Sequence, residues 1–186
     1  MTPFVLASAS PRRRALLEAV GLAPIIDPAD VDETPRAVEA PLAYALRVAT
    51  DKAKKRTHPV PVLAADTVVA LDGAILGKSA DPAEARLMLE RLSGRTHTVH
   101  TAVVVWAAGQ LLSEVVSSTV RFRRLNAREI ERYVQTGEPL DKAGAYGIQG
   151  AGGALVASVE GSYTNIVGLP LEETLRLLAL VGVGHE

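Results

Sequence analysis

The chain has 186 residues and carries 20 Lys plus Arg against 21 Asp plus Glu, a formal net charge of −1 at pH 7, with 48% hydrophobic and 22% charged residues. That balance excludes a disordered or low-complexity chain, and it leaves no global positive field to recruit nucleic acid or an anionic membrane, so any basic site is local. The absence of Cys removes disulfides, thiolate zinc sites and cysteine nucleophiles.

Phe4 to Ala7 reads as a short buried strand, and Ser10-Pro11 as an N-cap with Pro at the first helical position. Ala15, Leu16, Ala19 and Val20 then recur at helical spacing until Gly21. The apolar stretch before the Arg cluster is shorter than a signal sequence needs, and the charges follow it instead of preceding it, which predicts a cytoplasmic chain. Asp27 to Pro35 looks like a loop. Pro41 starts a second helix, with Leu42, Ala45, Leu46, Ala49 and Ala53 on one face and Arg47, Asp51, Lys54 and Lys55 on the other. Val60 to Ala70 is a β-branched run that leads through the hairpin signal Asp72-Gly73 to Ile75-Leu76. Asp81-Pro82-Ala83-Glu84 has the form of a capping box, and the helix it opens ends before Gly94.

Thr96 to Trp106 and Leu111 to Phe122 form a long hairpin turning at Ala108-Gly109. The longest wholly apolar run, Ala102 to Ala108, falls far short of the roughly 20 residues of a membrane span. Asn126 to Glu129 caps a further helix, Gly144 to Gly153 is Gly-rich, Ala154 to Val159 is a strand, and Pro170 begins a Leu-rich C-terminal helix. Single strand-to-helix steps mixed with hairpins predict an α/β fold with a mixed sheet, and the length suits one domain over residues 1–186.

Some motifs fail on spacing. Gly77-Lys78-Ser79 is not a P-loop, because the Gly required five positions before Gly77 is replaced by Asp72. Gly150-Ala151-Gly152-Gly153 lacks the third Gly of a dinucleotide fingerprint, since Leu155 stands there. His97 and His100 lie three apart in a strand, face opposite sides and cannot share a metal, so both read as structural or surface residues.

Three features carry chemistry. Ser8-Ala9-Ser10-Pro11-Arg12-Arg13-Arg14 places two hydroxyls and up to three guanidiniums at a helix N-terminus, either a polyphosphate cradle or a capped helix with a solvated Arg face. Asp66-Thr67 interrupts the apolar run Val62 to Leu71, where an unpaired carboxylate would be expensive. The acidic loop Asp30-Val31-Asp32-Glu33-Thr34 supplies hard oxygen ligands of the kind magnesium takes. With Lys78 after the hairpin, these make a kit for metal-assisted attack on a phosphate.

An ordered set of motifs extends this reading. Ser8-x-Ser10-x-Arg12-Arg13, Asp32-Glu33-Thr34, Ala65-Asp66-Thr67-Val68-Val69, Leu76-Gly77-Lys78, Leu92-Ser93-Gly94-x-x-His97-x-Val99-x-Thr101, Asp141 to Gly150 and Asn165 to Pro170 together resemble the Maf family, from Phe4 to about Leu177. Ala102 departs from the Gly that family members often carry there, a change expected to alter strand packing more than chemistry.

The resemblance implies a nucleoside triphosphate pyrophosphatase that cleaves between the α and β phosphates, with an elongated mixed sheet, two lobes around a cleft and a divalent cation, Mg2+ or Mn2+. It implies Asp66 as proton acceptor, Ser10, Arg12, Arg13, Lys52 and Lys78 as phosphate-binding residues, and Glu33 with Asp66 on the cation side. Arg12, Thr67 and Gln149 match the branch acting on dTTP and UTP, whereas the branch acting on 7-methyl-GTP has Gln and Glu at the last two positions. A Gln amide both donates and accepts, which suits uracil and thymine, although a flipped amide leaves CTP open.

The expected partner is therefore a nucleoside triphosphate, canonical or modified, with no nucleic acid and no membrane, and a homodimer is compatible with it. Two other classes stand beside the enzyme. One is a non-catalytic nucleotide-binding regulator of septum formation, which could dispense with Asp66. The other is an Arg-rich nucleic-acid binder, disfavoured because aromatics, the usual stacking platforms, are only 4%.

Overall fold

The β-branched runs place their side chains on a pleated, half-buried surface better than in a helix, and they build the centre of the molecule. The computed structural model describes residues 2–184. One sheet contains β1 (Val5–Leu6), β2 (Ile25–Ile26), β3 (Val62–Leu71), β4 (Ala74–Leu76), β5 (Thr96–Ala107), β6 (Gln110–Phe122) and β7 (Val156–Glu160). Its order is β2-β1-β3-β5-β6-β7, with β4 paired to β3. The β1–β2 and β1–β3 pairs are parallel and the rest antiparallel, the mixed sheet expected from the sequence.

The helices are α1 (Pro11–Ala19), α2 (Pro41–Lys54), α3 (Pro82–Leu92), α4 (Ala127–Val134), α5 (Tyr163–Val167) and α6 (Leu171–Leu180). Strand alternation sends Val62, Ala64 and Val68 of β3 toward α2, where they pack on Ala45, Val48 and Ala49. Leu63 and Ala65 face the opposite side with Leu17 of α1 and Leu177 and Leu178 of α6. Beyond them, α3 and α4 cover the far end of the sheet around Leu89, Leu92, Phe122 and Tyr133. Among the described residues, no helix is long and apolar enough to cross a membrane.

Pairing leaves a break in one edge of β3. Strand β5 pairs with β3 from Val62 to Ala70 along one side. On the other side, β1 covers only Val62 and Leu63, and β4 only Val69 to Leu71. Residues 64–68 therefore have no strand beside them on that edge among the described residues, and Asp66 and Thr67 lie in the break.

Several expectations are corrected. The second helix turns Leu42 outward, at 45% exposure, and buries Tyr44 and Lys52 instead, so its inward face is rotated from the one read from the sequence. Glu84 does not complete a capping box: Asp81 accepts from the Glu84 N–H, but the Glu84 side chain accepts from Ala80 N. The box at Asn126 and Glu129 is complete. Residues Ala151–Leu155 form a 3₁₀ turn, so β7 begins at Val156 and not at Ala154. Pro170 caps α6 instead of opening it. Strand β2 and helix α5 lack a sequence signal, being two and five residues long.

Candidate active site

The break in β3 opens into a cavity of about 1150 Å³ whose wall includes Ser10, Arg12, Arg13, Glu33, Lys52, Asp66, Thr67, Lys78 and Gln149. All nine residues to which the resemblance assigns a site role thus share one cleft. Each arrives by its own local device. Asp66 and Thr67 are neighbours on β3 and emerge on opposite faces of the sheet, both reachable because the strand edge between β1 and β4 is open.

Asp66 is 6% exposed and Lys52, near the end of α2, is 9% exposed. The Lys52 ammonium donates to Asp66 Oδ1 at 2.8 Å and sits 2.7 Å from Glu33 Oε1. A lysine on the otherwise mainly apolar buried face of α2 would be prohibitive without these carboxylates. Burial pushes the Asp66 carboxyl above its ordinary value, against the lowering effect of the Lys52 and Arg13 charges. Burial also raises Glu33, but the Lys52 hydrogen bond and charge outweigh it and hold Glu33 below the usual range. Two neighbouring carboxylates are therefore pushed apart in proton affinity. Asp66 Oδ2 makes no hydrogen bond among the described residues and is free to accept a proton.

The acidic loop is presented by α2. Tyr44 donates to the Glu33 carbonyl at 2.9 Å, and Arg47 bridges Glu39 at 2.7 Å and the Thr34 carbonyl at 3.1 Å. Asp32 turns back to accept from Thr34 N at 2.9 Å, so only Glu33 of the Asp32-Glu33 pair reaches the cleft.

At the other wall, Ser10 caps α1 by accepting from Arg13 N. Arg13 is not a solvated helix residue. At 9% exposure its Nε donates to the Gly168 carbonyl at 2.8 Å, Nη1 to Ser8 Oγ at 3.1 Å and Nη2 to Thr67 Oγ1 at 3.2 Å. Three of five guanidinium donors are used, which leaves two for a ligand. Burial lowers the Arg13 pKa from its ordinary value. Thr67 in turn pairs with Thr101 Oγ1 at 2.9 Å, and Thr101 donates to the Asn165 carbonyl at 2.9 Å. Arg12 also lines the cleft, but Arg14 points away and pairs with Glu18 at 2.7 Å, so the cradle holds two guanidiniums and not three.

Lys78 follows β4 and forms a β-bridge to Ala143, and it lines the same cavity as the α1 cap. Gln149 lies in the Gly-rich loop. His97 and His100 stay out of the cleft: His97 Nε2 meets Tyr146 Oη at 2.8 Å and His100 Nδ1 meets Ser117 Oγ at 2.7 Å, the structural roles expected. Ala102 stands directly across from Asp66 and is fully buried, a packing position as expected. The sequence reading passed over Glu138, which lines the cavity and binds the Gly-rich loop through Ala151 and Gly152.

Among the described residues no group of three or more His, Asp or Glu side chains forms a metal cage. Glu33 and Asp66 share one ammonium, which shows that the carboxylate pair already holds a cation-sized positive charge. Two carboxylates completed by phosphate oxygens and water are the usual environment of Mg2+, so the donor set fits such an ion arriving with a nucleotide.

Residues 3–181 match the family model described as Maf-like protein. The chain is 54% identical over 185 residues to a dTTP/UTP pyrophosphatase of Myxococcus xanthus (strain DK1622), covering 98% of this chain and 94% of the relative. It is 55% identical over 183 residues to a dTTP/UTP pyrophosphatase of Anaeromyxobacter dehalogenans (strain 2CP-1 / ATCC BAA-258), covering 96% and 94%. A solved structure, that of the Staphylococcus aureus Ham1 protein, aligns with TM-score 0.45 and 19% identity over 63% of this chain and 69% of the other.

Proposed function

This chain belongs to the Maf-like protein family, and from that premise we propose that it hydrolyses dTTP and UTP to the nucleoside monophosphate and pyrophosphate. The observation that carries the reading is the charged cluster in the β3 break, where Asp66 has one oxygen held by Lys52 and the other free, in a cavity that Arg12, Arg13 and Lys78 also line.

The triphosphate lies between the α1 cap and Lys78, where the helix N-terminus and the guanidiniums favour anions. Lys52 fixes the Asp66 carboxylate so that Oδ2 takes a proton from the water attacking the α phosphorus. The bond between that phosphorus and the bridging oxygen to the β phosphorus breaks. The charge that builds on departing pyrophosphate falls to the spare donors of Arg13 and to Lys78. A divalent cation, Mg2+ or Mn2+, held by Glu33 and Asp66, would supply neutralisation of the phosphate charge. Gln149, on the Gly-rich loop that lines the cleft, reads the pyrimidine edge in this scheme, with Arg12 and Thr67 shaping the same pocket. Every side chain in this scheme comes from a single chain.

A regulator that only binds nucleotide has no need of a buried carboxylate, whose ionised form burial disfavours. Asp66→Asn keeps the shape, removes the proton acceptor and is expected to lower kcat by roughly 10² to 10⁴ while calorimetry still detects UTP binding. Near-full turnover in that variant would contradict the scheme.

A further inference from the structure

Gln149 is carried by a loop that begins at Gly147 and returns to the chain at Gly152, and two side chains outside the loop fasten both of its ends. Glu138 follows Gly137, whose φ of 73° turns the chain after α4. Glu138 Oε2 accepts from Ala151 N at 2.9 Å, while Oε1 accepts from Gly152 N at 3.2 Å and from the Tyr133 hydroxyl at 2.8 Å. The same hydroxyl accepts from Gly147 N at 3.0 Å. Lys142 donates to the Glu138 carbonyl at 2.8 Å and steadies the turn that bears it. The loop backbone rests directly on this pair. A Cβ on Gly150 would run into the Glu138 carboxylate, and one on Gly152 would lie 2.6 Å from Tyr133 Oη. Glu138 lines the cavity, yet its oxygens are committed to loop N–H groups and have no part in the attack on phosphorus.

We propose that Glu138, together with Tyr133, is a positioning pair that sets the Gln149 amide for base discrimination. The inference rests on reading Gln149 as the base contact. A carboxylate accepts from all three donors at once, which an amide cannot do, because its NH₂ would face either the Ala151 N–H or the Gly152 N–H. Glu138→Gln therefore releases one end of the loop while keeping its own volume. Among the described residues neither Glu138 nor Tyr133 hydrogen-bonds to Ser10, Arg12, Arg13 or Lys78, the proposed phosphate contacts, so the defect is expected in base recognition and not in chemistry.

The test measures kcat and KM for UTP, dTTP, CTP and GTP, and inhibition by inorganic pyrophosphate, in the natural protein, Glu138→Gln, Tyr133→Phe and Gln149→Ala. Glu138→Gln is expected to raise KM for UTP and dTTP about 10- to 100-fold and to reduce the UTP-over-GTP preference toward that of Gln149→Ala. Its kcat and its pyrophosphate inhibition constant should stay within about threefold. Tyr133→Phe should move the same quantities less, and it carries the test if Glu138→Gln does not fold. Loss spread equally over all four bases and over pyrophosphate inhibition would overturn the proposal and leave Glu138 a structural residue. So would an unchanged base preference in the anchor variants when Gln149→Ala abolishes it. If Gln149→Ala leaves the preference intact, the base-reading role itself fails and the inference falls with it.

Discussion

In the proposed scheme two residues decide whether the cleft performs chemistry. Asp66 must be ionised to take a proton, and burial pushes its pKa up, so activity should be lost as pH falls through a value above the ordinary carboxylate range. Arg13 is the second. Its buried fork joins α1 to Thr67 and the Gly168 carbonyl and keeps two donors for phosphate. Arg13→Ala should raise KM and lower kcat together, with kcat/KM for UTP down at least tenfold, since one charged hydrogen bond is worth roughly 1.5 to 3 kcal/mol. Steady-state kinetics beside a thermal melt separates this from unfolding, and kinetics unchanged within about twofold in a folded variant would remove Arg13 from the phosphate site.

At the scale of elements, what was legible was local. The β3 run, the β5–β6 hairpin and the Asn126 capping box announce themselves through alternation, turn residues and a short-range reciprocal bond. The break in β3 was not legible, because it depends on β1 and β4 reaching the same strand edge from distant sequence and stopping short. Lys52 was passed over when the α2 faces were read by periodicity, although a lysine on the row of Ala45, Ala49 and Ala53 was a usable signal. Its role came only from the family resemblance. Glu138 was missed because two of its three donors are backbone N–H groups of the Gly-rich loop, which leave no trace in composition.

The contact of β5 with the Gly-rich loop carries its own prediction. His97 packs edge-on to Phe122 and Tyr146, and burial lowers its pKa from 6.5 to about 4. Between those values the unfolded chain binds a proton that the folded chain refuses, so stability falls as pH drops from 6.5 toward 4. His97 alone accounts for up to about 3 kcal/mol of that loss. Urea unfolding across this range should show a smaller decline for His97→Gln than for the natural protein. Parallel curves would mean that His97 is not held neutral.

The whole molecule is nearly neutral, and five of its 20 Lys and Arg residues, Arg12, Arg13, Lys52, Lys78 and Lys142, line the cleft beside four carboxylates. Within it, Lys52 is matched by Glu33 and Asp66, and Lys142 by Asp141, while Arg12 and Lys78 form no ion pair among the described residues. In the proposed scheme, that arrangement leaves basic groups for a polyphosphate and a carboxylate with a free oxygen in the same cleft. Hydrolysis of dTTP in ¹⁸O-labelled water, followed by phosphorus NMR, tests the central claim most directly. Attack at the α phosphorus places the label in the nucleoside monophosphate and releases unlabelled pyrophosphate. Label in pyrophosphate, or the appearance of orthophosphate with nucleoside diphosphate, would show that the cleft directs water to a different phosphorus.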